Sequence, residues 1–230
     1  MLPKPVVEEH SGFLIVRDDL LKGGTKMRAI MPLIESSLAS EFVYASPAQG
    51  YAQVALAYCA RMAGRKATIF TAKRKEMHPL TSLAKQAGAK IVMIPNGYLV
   101  VVQARARDYA KEVGAYLVPF GVEDKRCMQH IAAAAQSIGI QPSEVWTVAG
   151  SGVLTRSLQI AWPSASFNAV LVGKKDSDVG KARRIIHLDA FDKPARILPP
   201  FPSAKNYDAK AWEYINRHAS LGALFWNVGA

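Results

Sequence analysis

Three short segments of this chain carry residue types that chemistry can use. The first reads VRDDLLKGGTKMR over Val16–Arg28. A strand-like stretch ends in Asp18 and Asp19, and Gly23 and Gly24 permit a tight turn with positive φ. Lys26 then opens a helix predicted over 27–38. A helix N-terminus already carries partial positive charge, so an ammonium group there is disfavoured and its pKa falls. A lysine needed as a neutral nucleophile benefits from such a place. A surface lysine that merely follows a turn is the competing reading.

The second segment is VAGSGVLT, Val148–Thr155, where a predicted strand hands over to a predicted helix. Gly150 and Gly152 let the backbone approach an anion, and the unpaired N–H groups of Val153 and its neighbours would cradle it. Ser151 and Thr155 add hydroxyl donors. An ordinary tight turn is the plain alternative. The third segment, YASPAQGYAQ over Tyr44–Gln53, also leaves a strand and enters a helix. Ser46, Gln49, Gly50 and Tyr51 would lie at the carboxyl end of the sheet, where open α/β folds place ligands. Ser46 as a simple helix cap is the alternative there.

The elements around these segments alternate. Apolar runs at 41–45, 67–71, 90–94, 115–120, 144–149 and 167–172 read as strands. Helical stretches at 50–64, 78–88, 98–113, 127–138 and 153–161 lie between them, punctuated by Pro79, Gly64 and Gly88. This alternation predicts an α/β fold with parallel twisted sheets flanked by helices. Beyond Lys193 four prolines precede one predicted helix, 208–218, and Trp212, Tyr214, Phe225 and Trp226 require burial.

Composition narrows the class. Half of the 230 residues are hydrophobic, enough for a sizeable core, which argues against disorder. No run of 18 apolar residues predicts a membrane helix. Two cysteines, Cys59 and Cys127, cannot form a disulfide scaffold and read as reduced core thiols of a cytoplasmic protein. The five histidines include no i, i+4 pair, so no metal site is expected. Net charge is +11, with basic residues clustered at Arg61–Lys75 and Lys174–Arg184. Such clusters are either solvated faces or a surface for a polyanion.

Taken together, the three segments resemble the fold-type II pyridoxal-phosphate enzymes related to the tryptophan synthase β subunit. They lie nearest the aminocyclopropane-carboxylate deaminase and D-cysteine desulfhydrase branch. That branch carries Arg-Asp-Asp-Leu, then Gly-Gly-Asn-Lys and a following Arg; here Arg17–Leu20 and Gly23–Arg28 stand in those places. The likeness spans residues 13–173 in order and spacing. It implies a two-lobed architecture shortened at the C-terminus, with a larger cofactor-anchoring lobe from 1–40 and 120–230 and a smaller α/β lobe from 41–119. It implies pyridoxal 5'-phosphate held as a Schiff base by Lys26, its phosphate cradled by Gly150, Ser151, Gly152 and Val153 with Thr155 nearby. Ser46, Gln49, Gly50 and Tyr51 would face the substrate carboxylate and the cofactor ring. Gln49 is the candidate replacement for an Asn that such enzymes place beside the cofactor's phenolic oxygen.

The implied activity is that of a lyase of deaminase, desulfhydrase or decarboxylase type acting at an amino-acid α-carbon, in a homodimer. Some bacteriophages use pyridoxal-phosphate enzymes to remodel amino-acid groups on modified thymines in DNA. The high positive charge and short length fit a shortened relative of that kind, so the expected substrate is a small amino acid or amino-acid-modified DNA. The alternative is a catalytically inactive α/β module that binds a phosphorylated ligand or nucleic acid. A dinucleotide oxidoreductase is disfavoured because no Gly-x-Gly-x-x-Gly follows the first strand.

Overall fold

The computed structural model describes residues 2–95 and 97–229. In chain order the elements are β1 (Val7–His10), β2 (Phe13–Arg17), α1 (Lys26–Glu35), β3 (Glu41–Ala45), α2 (Ala52–Met62), β4 (Lys66–Ala72), α3 (Pro79–Gln86), β5 (Lys90–Ile94), α4 (Leu99–Val113), β6 (Tyr116–Leu117), α5 (Lys125–Gln136), β7 (Glu144–Ala149), α6 (Val153–Ala161), β8 (Ser166–Leu171), β9 (Arg183–Ile186), α7 (Trp212–His218) and β10 (Leu224–Asn227). The chain divides into two compact units, Lys26–Cys127 and Leu2–Thr25 with Met128 onward. These contact boundaries fall at 25/26 and 127/128, whereas the lobe boundaries read from the sequence fall at 40/41 and 119/120. The difference is α1, which packs on α2, together with the chain from Phe120 to Cys127.

The unit Lys26–Cys127 holds a four-stranded sheet in the order β5-β4-β3-β6, every pairing parallel. Its strands are short apolar runs because helices cover them. Val102, Ala106 and Ala110 recur at helical spacing on α4, and the small alanines let that helix lie against Val43, Ala45 and Phe70. Cys59 and Cys127 are both fully buried, their thiols directed at the carbonyls of Met27 and Ala29 on α1. α1 stops at Glu35, short of the predicted 38. Ser36 N–H donates to Pro32 O and Ser37 N–H to Ile34 O, closing the last turn, while Leu38 stands fully exposed. Only Tyr116–Leu117 of the predicted strand 115–120 pairs, and the chain then turns into a 3-10 segment, Phe120–Val122.

The other unit holds a six-stranded sheet in the order β1-β2-β10-β7-β8-β9. It is mixed rather than all parallel: β1 and β2 form an antiparallel hairpin through Ser11 and Gly12, both with positive φ, as a tight two-residue hairpin requires. The remaining pairings are parallel. The tail supplies the central strand β10, which lies between β2 and β7. The predicted helix 208–218 forms as a 3-10 turn, Asp208–Ala211, followed by α7. Phe13, Trp146, Phe201, Trp212 and Phe225 are buried as one core, with Trp212 edge-on to Phe13 and Phe201 at 5.9 and 5.3 Å between ring centroids. Among the described residues no helix is long and apolar enough to cross a membrane.

Candidate active site

Lys26 is the first residue of α1, and its Nζ donates to Gly121 O at 3.0 Å. The residue as a whole is half-buried, but its amine is enclosed. Burial therefore pushes the pKa down to about 8, with the nearby Cys127 thiol opposing the fall. The surface-lysine reading does not describe this side chain. Its acceptor is itself fixed: Gly121 N–H donates to Tyr44 Oη at 3.2 Å, and Tyr44 stacks on Phe120 with rings 9° from parallel. Burial raises Tyr44 to about 12, so it stays a neutral phenol. The turn that presents this carbonyl is strained. Val122 is buried and β-branched yet has φ 60, a region that crowds its Cβ and persists only where the surroundings enforce it.

The Ser46–Tyr51 loop belongs to the same unit and follows the carboxyl end of β3. Ser46 is not a helix cap. Its Oγ donates to Pro47 O at 2.9 Å, and Tyr51, with no side-chain cap bond, stands at the start of α2. Gly50 N–H donates to Pro47 O at 2.8 Å, and a Cβ on Gly50 would approach Ser46 Oγ to 2.8 Å, so a larger residue there would have to displace that hydroxyl. Gln49 is exposed and Tyr51 half-buried. The residue that shapes this loop is Gln53, fully buried, whose Nε2 donates to Ala48 O at 2.9 Å and Gly50 O at 3.0 Å. Its Oε1 has no protein partner among the described residues. A glutamine inside the alanine-rich run was the available signal.

The Gly150–Val153 turn lies in the other unit, between β7 and α6. Gly152 has φ 77, and a Cβ there would sit 1.7 Å from Asp178 O, so glycine is required by conformation and by space alike. Ser177 Oγ donates to Gly150 O, and Tyr207 Oη donates to Val148 O at 3.4 Å. The turn is thus walled by the segment around Ser177–Asp178 and by Tyr207. Among the described residues no protein acceptor takes the N–H of Ser151, Gly152, Val153 or Leu154, and Ser151 Oγ has no partner. Those groups are the orphan donors that an oxyanion satisfies. Thr155 does not join them. Its Oγ1 is buried 2.8 Å from Thr147 Oγ1, tying α6 to β7.

Two further features of that unit, the buried carboxyl of Asp208 and the contacts of the Arg-Asp-Asp segment, escaped the sequence reading. Asp208 is buried, accepts from Gly229 N–H at 3.2 Å through Oδ2, and has no protein partner for Oδ1 among the described residues. Burial drives its pKa well above the ordinary carboxylate range against the Val228 and Gly229 N–H groups, and the charge of Asp19 adds to the rise. Burial thus favours its protonated form, and one of its oxygens stays open. The Arg-Asp-Asp segment, in turn, locks β10 in place. Arg17 grips Asp19 with two bonds of 2.8 Å and also reaches Glu8, while Asp19 accepts from Asn227 Nδ2 at 2.8 Å. Asp18 Oδ2 and Thr25 Oγ1 both accept from Trp226 Nε1, at 3.0 and 2.8 Å.

No family model matches the sequence, and no curated protein sequence is similar to it. Solved structures do share its fold. An ACC deaminase homologue superposes with a TM-score of 0.81 over 94% of this chain and 84% of its own, at 16% identity. A threonine deaminase from T.th. gives 0.71 over 94% and 86%, at 14% identity. A pyridoxal 5'-phosphate-dependent aspartate racemase gives 0.68 over 98% and 89%, at 12% identity. The expected fold-type II architecture is thereby met at the level of the fold.

Proposed function

We propose that this chain is a pyridoxal-phosphate-dependent enzyme acting at the α-carbon of an amino-acid group, as a lyase of deaminase, desulfhydrase or decarboxylase type. The observation that carries this reading is the Lys26 amine: enclosed, held by Gly121 O, and lowered to about 8, in a fold shared with a pyridoxal-phosphate-dependent racemase. A lysine so placed presents a far larger share of its free base near neutral pH than an ordinary lysine does, and the free base is the form that attacks an aldehyde. The orphan amides from Ser151 to Leu154, with Ser151 Oγ, suit the phosphate of such a cofactor. Lys26 would hold it covalently, and Gly150–Val153 would hold the phosphate. When bound, the cofactor supplies an electron sink for negative charge at the substrate α-carbon. Lys26 Nζ, with its pKa near neutrality, is suited to take and return the proton at that carbon. Ser46, Gln49, Gly50 and Tyr51 would face the substrate carboxylate, with Ser46 Oγ and the Gly50 N–H released from Pro47 O to do so.

The purified protein should be yellow, lose its visible band on borohydride treatment as the cofactor becomes irreversibly attached to the chain, and lack that band in Lys26→Ala. A colourless protein that cannot be reconstituted would instead favour an inactive module binding a phosphorylated ligand or nucleic acid. One observation favours a substrate carried on DNA. The segment whose Ser177 and Asp178 close on the glycine turn also carries Lys174, Lys175 and Lys181, all exposed, and continues into exposed Arg183 and Arg184 on edge strand β9. Affinity for aminoacylated DNA should then fall steeply with salt, and a flat response would exclude that carrier. For the expected homodimer the exposed apolar start of α4, Tyr98 to Val101, is the candidate contact, testable by the solution mass of a Val100→Glu variant.

A further inference from the structure

The molecule holds a cleft unconnected with the roles above, at the amino-terminal edge of the four-stranded sheet. β3, β4 and β5 begin side by side there, with Glu41 paired to Lys66 and Thr68 to Lys90. The cleft encloses about 290 Å³, near the lower limit for a small-molecule site, and its walls include Glu41, Arg65, Lys66, Thr68, Lys90 and Tyr109. It lies at the opposite end of β3 from the Ser46–Tyr51 loop.

Its charge is unbalanced. Among the described residues Arg65, Lys66 and Lys90 form no ion pair, and Glu41 is the one acid lining the cleft. The acid is oriented: Glu41 Oε1 accepts from Thr68 Oγ1 at 2.6 Å and from Tyr109 Oη at 3.0 Å, which leaves Oε2 for an incoming donor. Thr68 is buried, and Tyr109 is braced against Phe70 at 5.4 Å. Lys90 Nζ lies over the Tyr109 ring, 5.2 Å from its centroid, so one cation is already positioned. Three cations around a small volume repel one another, and a dianion entering between them relieves that repulsion.

We propose that this cleft binds a small phosphorylated molecule, its phosphoryl group between Arg65, Lys66 and Lys90 and a hydroxyl donating to Glu41. The site does not depend on the cofactor reading, since none of its residues takes part in that role. The test is a titration of the full-length isotope-labelled chain, followed by amide NMR shifts, with inorganic phosphate and with sn-glycerol 3-phosphate as probes. Saturable shifts are expected at Glu41, Arg65–Thr68 and Gly88–Lys90, with glycerol phosphate the tighter ligand. Arg65→Ala combined with Lys90→Ala should weaken both probes at least about tenfold, because charge-assisted bonds are lost. Glu41→Gln keeps an acceptor for Thr68 and Tyr109, so it should fold; it should tighten inorganic phosphate and narrow the preference for glycerol phosphate. Non-saturating shifts, equal affinity for the two probes, or indifference to the double substitution would overturn the site. Shifts confined to Ser151–Leu154 would also overturn it, and would leave the cofactor reading standing.

Discussion

Replacing Lys26 by methionine should make the cofactor-free protein more stable at neutral pH. The ordinary lysine value is 10.5, and burial lowers the folded value to about 8. The unfolded chain therefore binds this proton more tightly than the folded one. At about 1.4 kcal/mol per tenfold difference in proton affinity, the separation opposes folding by roughly 3 kcal/mol at pH 7. The sign follows from linkage: where the unfolded state holds more protons, stability rises with pH, so the penalty is full below pH 8 and fades as pH climbs toward 10.5. Methionine fills similar volume without the charge but forfeits the bond to Gly121 O, a loss of about 1–2 kcal/mol. The variant should thus exceed wild type by about 1–2 kcal/mol at pH 7 and fall below it by about pH 10. Urea unfolding followed by far-ultraviolet circular dichroism measures this, because all four tryptophans lie in the other unit. A difference between variant and wild type that is constant from about pH 7 to 10 would refute a buried, destabilised ammonium.

Other substitutions address the second unit. Gly152→Ala places a methyl against Asp178 O at a left-handed backbone position, so it should cost at least about 1–3 kcal/mol in thermal unfolding and weaken phosphate or cofactor binding by titration. Asp208→Asn removes a carboxyl whose folded pKa is raised above 3.8. It should stabilise the protein at about pH 7, with the gain shrinking as pH falls toward about 4 in parallel urea titrations. Trp226→Phe deprives Asp18 and Thr25 of a buried donor, and a loss of about 2–4 kcal/mol is expected from denaturation midpoints.

Much of the scaffold was legible from short-range pattern. Glu41–Ala45, Lys90–Ile94, Glu144–Ala149 and Val153–Ala161 lie where the apolar runs and glycines put them, because each is covered by helix or sheet and bounded by its own turn chemistry. β9 and β10 were hidden for different reasons. Arg183–Ile186 is an edge strand with little burial to mark it, and Leu224–Asn227 is a four-residue strand whose β2 partners lie far away in sequence. At the candidate site, Lys26 and the Gly150–Gly152 turn were visible because glycine and helix-start lysine carry local conformational meaning. What encloses the amine was not: Gly121 arrives from 95 residues away. The buried carboxyl of Asp208 looked like a loop residue, since only tertiary packing raises its pKa. The partner of Thr155 was hidden for the same reason, as its position on α6 turns the hydroxyl toward Thr147.

The placement of β10 bears on how the molecule is made. Leu14 pairs with Leu224, so the flank of β2 that faces β10 has no mate until the far end of the sequence has been synthesised. The unit Lys26–Cys127 meets no such delay, for its strands find their neighbours within its own length. A ribosome would accordingly release a finished inner unit beside an open, apolar ribbon of Phe13–Arg17. During that interval the strand edge stands open to pairing with other nascent copies.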